Sequence, residues 1–273
     1  MESTFFRVTR DGPVAHLIMN RPDKANGMTP DFWADLPRLL DTLGQDMSVR
    51  VAVISGEGKH FTGGMDLSAF NDIARLFDNE PGRAAYAMRD MVLKLQDTIN
   101  AVERARFPVI AAVHGACIGA GIDLITACDL RIAASDAYFA IEEIHIGMAA
   151  DVGTLQRLPK LIAPAIAAEL AYTGRRFKAD EAKAIGLVSN VLPDRDALMT
   201  AANELAHAIA KKSPLAITGI KRNLAYARDH SVADGLDYIA TWNGGMLRAE
   251  ELMTAIQAKM AKSDAQFADL LKA

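Results

Sequence analysis

An α/β fold with largely parallel strands, followed by an all-helical C-terminal region, is predicted by three observations. Through the first ~190 residues short β-rich runs alternate with apolar positions at helical spacing, as strand–helix–strand units do. Over the last ~80 residues the helical spacing continues without strand signals. Hydrophobic residues make up 51% and charged residues 23% of the 273 residues, enough to bury a sizeable core and too apolar for disorder. Residues 1–195 are expected to form the core, and residues 196–273 the helical region.

In chain order, Phe5–Val8 and Ala15–Met19 are β-rich runs about the turn dipeptide Asp11-Gly12, and predict a hairpin. Thr29-Pro30 has the form of a helix N-cap followed by proline, and Phe32, Trp33, Leu36, Leu39, Leu40 and Leu43 continue that helix. Val51–Ile54 is a compact strand leading into a glycine-rich loop from Gly56 to Gly64. Residues 69 to 104 keep helical spacing, after an irregular region near Pro81-Gly82. Pro108–Val113 is a buried strand, Gly119-Ala120-Gly121 a turn into a helix, and Leu130–Ala133 and Tyr138–Ile141 two further strands. Helices follow at Leu155–Ile162, Pro164–Tyr172, Ala179–Ile185, Asp194–Lys211, Leu215–Arg228 and Val232–Ala261, with one late strand at Val188–Asn190.

The net charge of −4, from 30 Lys+Arg against 34 Asp+Glu, offers no field for nucleic acid or an anionic membrane. An anionic ligand therefore has to be held by local bases and backbone N–H groups. Cys117 and Cys128 are too few for a disulfide framework and sit in an apolar stretch, as buried free thiols do. No uninterrupted apolar run reaches the ~20 residues that span a bilayer. The N-terminal MESTFFRVTRDG lacks the form of a secretory signal, and the C-terminal ADLLKA is not a peroxisomal tripeptide, so a cytoplasmic location is expected.

Two glycine loops and three acids carry the chemistry. In Phe61-Thr62-Gly63-Gly64-Met65-Asp66 the glycines let a ligand approach the backbone. Gly119-Ala120-Gly121 opens a helix, where free N–H groups and the positive end of the dipole face outward. Two such amides converging on one point form an oxyanion hole. Asp123, Glu143 and Asp151 stand in or beside runs that otherwise read as core, where an acid is costly unless paired or used. Singly, Asp123 reads as a helix N-terminal acid, Asp151 as an N-cap for the following helix, and Glu143 as a surface acid. Together with both glycine loops they point to proton chemistry. His60, His114 and His145 do not fall at metal-ligand spacings and read as structural or solvated. Arg21, Lys24 and Lys59 are candidates for phosphate contacts, with plain surface solvation as the equal alternative.

Several segments, in this order and spacing, resemble the crotonase (enoyl-CoA hydratase/isomerase) superfamily over most of the chain. They are Asn20-Arg21-Pro22, Gly58-Lys59-His60-Phe61 through Asp66-Leu67, Pro108 to Gly115, Ala127-Cys128-Asp129-Leu130-Arg131, and Gln156-Arg157-Leu158-Pro159. The resemblance implies a spiral of ββα units, with a C-terminal helical region used in trimerisation and trimers that often pair into hexamers. It implies an acyl-CoA substrate, with coenzyme A as part of that substrate, no separate cofactor and no metal. It carries the oxyanion amides onto Met65 and Ala120, and counts Gly64, Asp66, Leu67 and Gly121 among the substrate-binding residues.

The acids narrow the resemblance. A hydratase of the superfamily has glutamates at the positions of Asp123 and Glu143 and glycine at that of Asp151. The set Asp123, Glu143 and Asp151 is instead similar to that of the Δ3,5-Δ2,4-dienoyl-CoA isomerases, which act in β-oxidation of unsaturated fatty acids. Such a reaction needs a base at C2, an oxyanion hole for the dienolate and an acid at C6. The resemblance implies Glu143 near C2, and Asp151 is expected at C6, with Asp123 orienting or tuning the others. The alternatives are a hydratase or another acyl-CoA isomerase of the superfamily and, in a different class, a non-catalytic acyl-CoA or RNA-binding member.

Overall fold

The computed structural model describes residues 2–66 and 74–272. Leu67 and the first part of the helix expected from residue 69 lie outside the described residues. Strands β1 (Phe6–Asp11) and β2 (Val14–Met19) pair antiparallel as the expected hairpin. Strands β3 (Val51–Gly56), β4 (Val109–Val113), β6 (Leu130–Ala134) and β9 (Asn190–Leu192) then add in parallel, in the order β1-β2-β3-β4-β6-β9. A second, three-stranded sheet has β5 (Ala116–Ile118), β7 (Tyr138–Ala140) and β8 (Phe177–Lys178) in the order β5-β7-β8. Strands β5 and β8 escaped the sequence reading because runs of three and two residues are too short to show an alternation.

Every residue of β3 and β4 is buried, as in parallel strands covered on both faces. On one face Ala52, Ile54, Val109, Ala111 and Val113 join the main core with helices α1 (Pro30–Gln45), α2 (Pro81–Arg104) and α3 (Ala120–Ala127). On the other, Val51, Val53, Ile110 and Ala112 pack against Leu198, Ala202, Ala206 and Ala210. Those four lie at i, i+4, i+8 and i+12 of a later helix, Arg195–Ala210, whose alanine stripe lets it sit close on the sheet. That helix belongs to the stretch expected to form the helical C-terminal region, and it closes the back of the large sheet.

Local chemistry sets most helix ends, with three departures. Helix α1 begins at Pro30 as expected, but the Thr29 hydroxyl makes no capping bond and is buried without a partner. Helix α2 starts at Pro81 itself, capped by the Glu80 carboxylate, which accepts the Gly82 and Arg83 N–H groups. The helix expected over Leu155–Ile162 is a single turn, α4 (Thr154–Arg157), followed by a 3₁₀ turn at Leu158–Lys160 containing Pro159, which has no N–H to give. Helices α5 (Pro164–Thr173), α6 (Ala179–Ala184), α7 (Arg195–Ala210) and α8 (Pro214–Asp229) stand as expected to within a residue or two.

The long final helix is two helices. α9 (Val232–Met246) opens on a Ser231/Asp234 capping box, and the chain turns extended at Leu247 and Arg248 before α10 (Ala249–Ala261). Gly244 and Gly245, in the last turn of α9, weaken the helix there. Lys221 of α8 is 7% exposed and ties the helices to the core. Its ammonium donates to the Val102 and Phe107 carbonyls at 3.0 and 2.9 Å and to Asp129 Oδ2 at 2.8 Å.

Candidate functional site

The loop Phe61–Asp66 runs between two neighbours. Thr62 N donates to the Ala116 carbonyl at 2.9 Å and the Thr62 carbonyl accepts Ile118 N–H at 3.3 Å, which joins the loop to β5. On its other edge Met28 N donates to the Gly64 carbonyl at 2.8 Å, and Asp66 N to the Met28 carbonyl at 3.0 Å. In a parallel bridge of this kind the middle residue, Met65, turns its own N–H and C=O away from Met28. Gly64 has φ +86°, and a Cβ built on it would stand 2.8 Å from the Ile118 carbonyl oxygen and 3.6 Å from Ala120 N. The two glycine loops, far apart in sequence, therefore touch. Ala120 is the first residue of α3, so its N–H has no intrahelical acceptor. Among the described residues neither the Met65 nor the Ala120 N–H donates to a protein acceptor.

A residue the sequence reading passed over holds this arrangement. Asn26 is fully buried, with φ +51°, and its amide donates to the Glu57 and His60 carbonyls at 3.0 and 2.8 Å. Its backbone carbonyl accepts the Thr62 hydroxyl at 2.8 Å, and that hydroxyl in turn accepts Gly64 N–H at 3.1 Å. The Asn26-Gly27 dipeptide was a legible turn signal. Its role as the peg of the first glycine loop was not.

The three acids come together beside these amides. Asp123, in the first turn of α3, is 1% exposed, accepts Thr154 N–H on Oδ1 at 2.6 Å, and leaves Oδ2 buried without a partner. Burial pushes its pKa to about 6, with the Asp151 charge adding to that, while Thr154 donation and the Arg157 charge pull the other way. That displacement is worth roughly 3 kcal/mol, against the ~0.3–1 kcal/mol a helix N-terminus gives an exposed anion. Burial wins over the dipole that the sequence suggested would favour the charged form.

Glu143 lies on a 3₁₀ turn, Glu142–Ile146, just after β7. A Cβ on Gly119 would stand 3.5 Å from Glu143 Oε1 and 3.9 Å from the Gly64 Cα, so this carboxyl faces the junction of the two loops. Its Oε2 is buried without a partner, and burial, then the charge of Asp123, pushes its pKa to about 7. Asp151 is half-buried, which pushes its carboxyl up as well. It is not a helix N-cap: Gly153 holds that position before α4. The Asp151 carbonyl instead accepts Gln96 Nε2–H of α2 at 2.7 Å. The arrangement can stabilise an oxyanion with two backbone amides and can hold or release protons near neutral pH from carboxyls around it.

The remaining candidates sort clearly. His60 Nδ1 accepts Ala116 N–H at 3.1 Å, while His114 Nε2 and His145 Nε2 lie 3.0 and 3.1 Å from the Gly58 and Gly174 carbonyls, so each histidine is engaged with backbone. Arg21 is tied to the Gly27 carbonyl at 2.7 Å and to Asp66 Oδ2 at 3.1 Å, whereas Lys24 and Lys59 are exposed. Gly121 packs against Thr62, where a Cβ would meet Thr62 Cγ2 at 2.6 Å, so it serves the contact between the loops. Among the described residues no group of three His, Cys, Asp or Glu side chains is arranged to hold a metal ion.

Residues 9–269 match the family model described as enoyl-CoA hydratase/isomerase. The chain is 47% identical to the human protein named Δ(3,5)-Δ(2,4)-dienoyl-CoA isomerase, mitochondrial, over 90% of this chain and 75% of that one. It is 46% identical to the Arabidopsis thaliana protein of that name, peroxisomal, over 97% and 96%. Its fold is similar to that of an enoyl-CoA hydratase from Bacillus anthracis, with a TM-score of 0.88, 29% identity, and coverage of 97% of this chain and 99% of that one. The expected cytoplasmic location is corrected by these relatives, which are named mitochondrial or peroxisomal. Compartment is read from addresses by receptors, and a signal not recognised in the sequence does not assign a protein to the cytoplasm.

Proposed function

The chain belongs to the enoyl-CoA hydratase/isomerase family, and we propose that within it this enzyme shifts the double bonds of a 3,5-dienoyl-CoA to the 2,4 positions. The Glu143 carboxylate takes a proton from C2, and the electron pair passes into the dienolate, whose thioester oxygen is held by the Met65 and Ala120 N–H groups. The Asp151 carboxyl gives a proton to C6, the C5–C6 and C3–C4 double bonds shift to C4–C5 and C2–C3, and the oxyanion returns to carbonyl. One proton is taken and one given; Glu143 then releases its proton to solvent and half-buried Asp151 recovers one, which restores both groups. Asp123, held by Thr154, raises the proton affinity of Glu143 through its charge. The observation that supports this reading most is Asp151, a third acid electrostatically coupled to both Asp123 and Glu143. It gives the site a proton donor for a carbon remote from C2.

Coenzyme A enters as part of the substrate, with exposed Lys24 and Lys59 as candidate phosphate contacts and Gly64 and Asp66 lining the approach. The substrate class suits a place in β-oxidation. Residues 1–195 are read as the spiral core with the acyl-CoA site, and residues 196–273 as the helical region for assembly into a homotrimer or hexamer. Exposed Leu224, Val232, Leu236, Leu252, Met253 and Met260 on α8, α9 and α10 favour such assembly. The test is product analysis with 3,5-octadienoyl-CoA and crotonyl-CoA, following the absorbance of the conjugated thioester. Fast water addition to crotonyl-CoA with no 2,4-diene product would overturn the reading. Sedimentation velocity that gave only monomer would overturn the assembly.

A further inference from the structure

The turn that carries Asp151 is held from behind by one polar stripe of α2. Gln96, Asn100 and Glu103 follow one another at i, i+4 and i+7, so they share a face of that helix. Gln96 donates to the Asp151 carbonyl at 2.7 Å. Asn100 Oδ1 and Glu103 Oε2 accept from Arg157 Nη2 at 2.6 and 2.9 Å. Arg157, 8% exposed, is thereby fixed with its guanidinium against Gly153: a Cβ on that glycine would stand 1.8 Å from Arg157 Nη1. Gly153 itself has φ +137°, a conformation closed to other residues, and Arg157 N donates to its carbonyl at 3.0 Å. The next residue, Thr154, makes the 2.6 Å bond to Asp123. The guanidinium thus fills the space under the turn that separates Asp151 from the Asp123 anchor.

From this geometry we propose that Arg157, gripped by Asn100 and Glu103, is a positioning residue that sets Asp151 over the distal carbon of the substrate. The inference rests on the isomerase reading and adds a division of labour to it. Glu143 lies on a separate turn after β7 and owes none of its hydrogen bonds to this stripe. Loosening the stripe therefore disturbs proton delivery at C6 directly, and reaches proton removal at C2 only indirectly, through Thr154 and the charge of Asp123. A fork of two N–H groups aligned by a carboxylate and an amide does this in a way a lysine point charge cannot reproduce.

The experiment uses the full-length enzyme with 3,5-octadienoyl-CoA in D₂O, measuring two rates on each sample. One is deuterium uptake at C2 by mass spectrometry, and the other is appearance of the 2,4-diene. Arg157→Met is expected to lower diene formation by about 10²-fold, the scale of a ~1 Å misplacement of a reacting group. Uptake at C2 stays near the wild-type rate, KM changes little, and Arg157→Lys restores only a small part of the lost turnover. Gln96→Met, on the open rim of a cavity of about 370 Å³ that Asn100, Gly153 and Arg157 also line, gives the same split more weakly and decides the matter if Arg157→Met does not fold.

Parallel loss of uptake and diene formation in the folded variants, or turnover unchanged in both, would overturn the positioning role. Absence of diene formation by the wild-type enzyme would overturn the isomerase reading instead.

Discussion

Asp123 Oδ1 accepts the N–H of Thr154 at 2.6 Å, a bond between residues 31 apart in the chain. It joins the helix behind the second glycine loop to the turn that presents Asp151. Its partner oxygen, Oδ2, is left bare in the protein interior. An acid in that state is a costly choice for stability and a useful one for proton transfer.

Asp151→Asn is expected to lower isomerisation by at least ~100-fold, the contribution of a general acid–base group, while acyl-CoA binding persists. Steady-state kinetics together with equilibrium titration of a saturated acyl-CoA separate the two. Unchanged turnover would remove Asp151 from the mechanism.

The pH dependence has a definite sign. Glu143 acts as a base only when ionised, so proton removal at C2, read as deuterium uptake, climbs as pH rises through about 7. Proton delivery at C6 needs Asp151 protonated and is favoured at lower pH. Stability runs opposite to the uptake. The folded-state pKa values of Glu143, about 7, and Asp123, about 6, both lie above the ordinary carboxyl range. A raised folded pKa contributes stability that is full below the unfolded value and is lost as pH climbs through the folded one. Thermal melts are expected to rise from pH 8 towards pH 5, and Glu143→Gln to stabilise at pH 8 by up to roughly 3 kcal/mol. A Glu143→Gln variant that melts below wild type at pH 8 would contradict this.

Gly64→Ala tests the contact between the loops. Its φ is +86° and the added Cβ meets the Ile118 carbonyl oxygen at 2.8 Å, so the backbone has to shift at the residue next to the Met65 amide. A loss of about 10²–10³ in kcat is expected, as for removal of one oxyanion donor, with the fold retained by circular dichroism. Full activity would mean that the Met65 N–H has no part in the reaction.

Lys221→Ala addresses the attachment of the helices. Its ammonium has three acceptors and little exposure, and its loss leaves Asp129, among the described residues, with the Val109 N–H as its donor. Destabilisation of about 3 kcal/mol is expected, read by urea unfolding, while a change below ~0.5 kcal/mol would show that the clamp is dispensable.

Much of this molecule was legible residue by residue. The β1–β2 hairpin, α1 from Pro30, β4 and the Gly119 turn into α3 follow from periodicity, proline and glycine, which act over a few residues. Short-range signals failed where elements are too brief or a boundary is weak. Examples are β5, β8 and the split between α9 and α10 at Leu247-Arg248. Asp151 shows both limits at once. Its residue type and spacing flagged it, and the same local view offered an N-cap that Gly153 in fact supplies.

The sequence by itself determined the α/β class, the two glycine loops and the three acids, because each depends on residue type and near spacing. Only the tertiary structure decided that Gly64 abuts Ala120, that Asn26 pegs the first loop, and that Glu143 and Asp123 hold their protons to about 7 and 6. Those depend on burial and on partners brought from distant parts of the chain. The energy of a buried carboxyl is set by which groups surround it in space, and sequence order leaves that open.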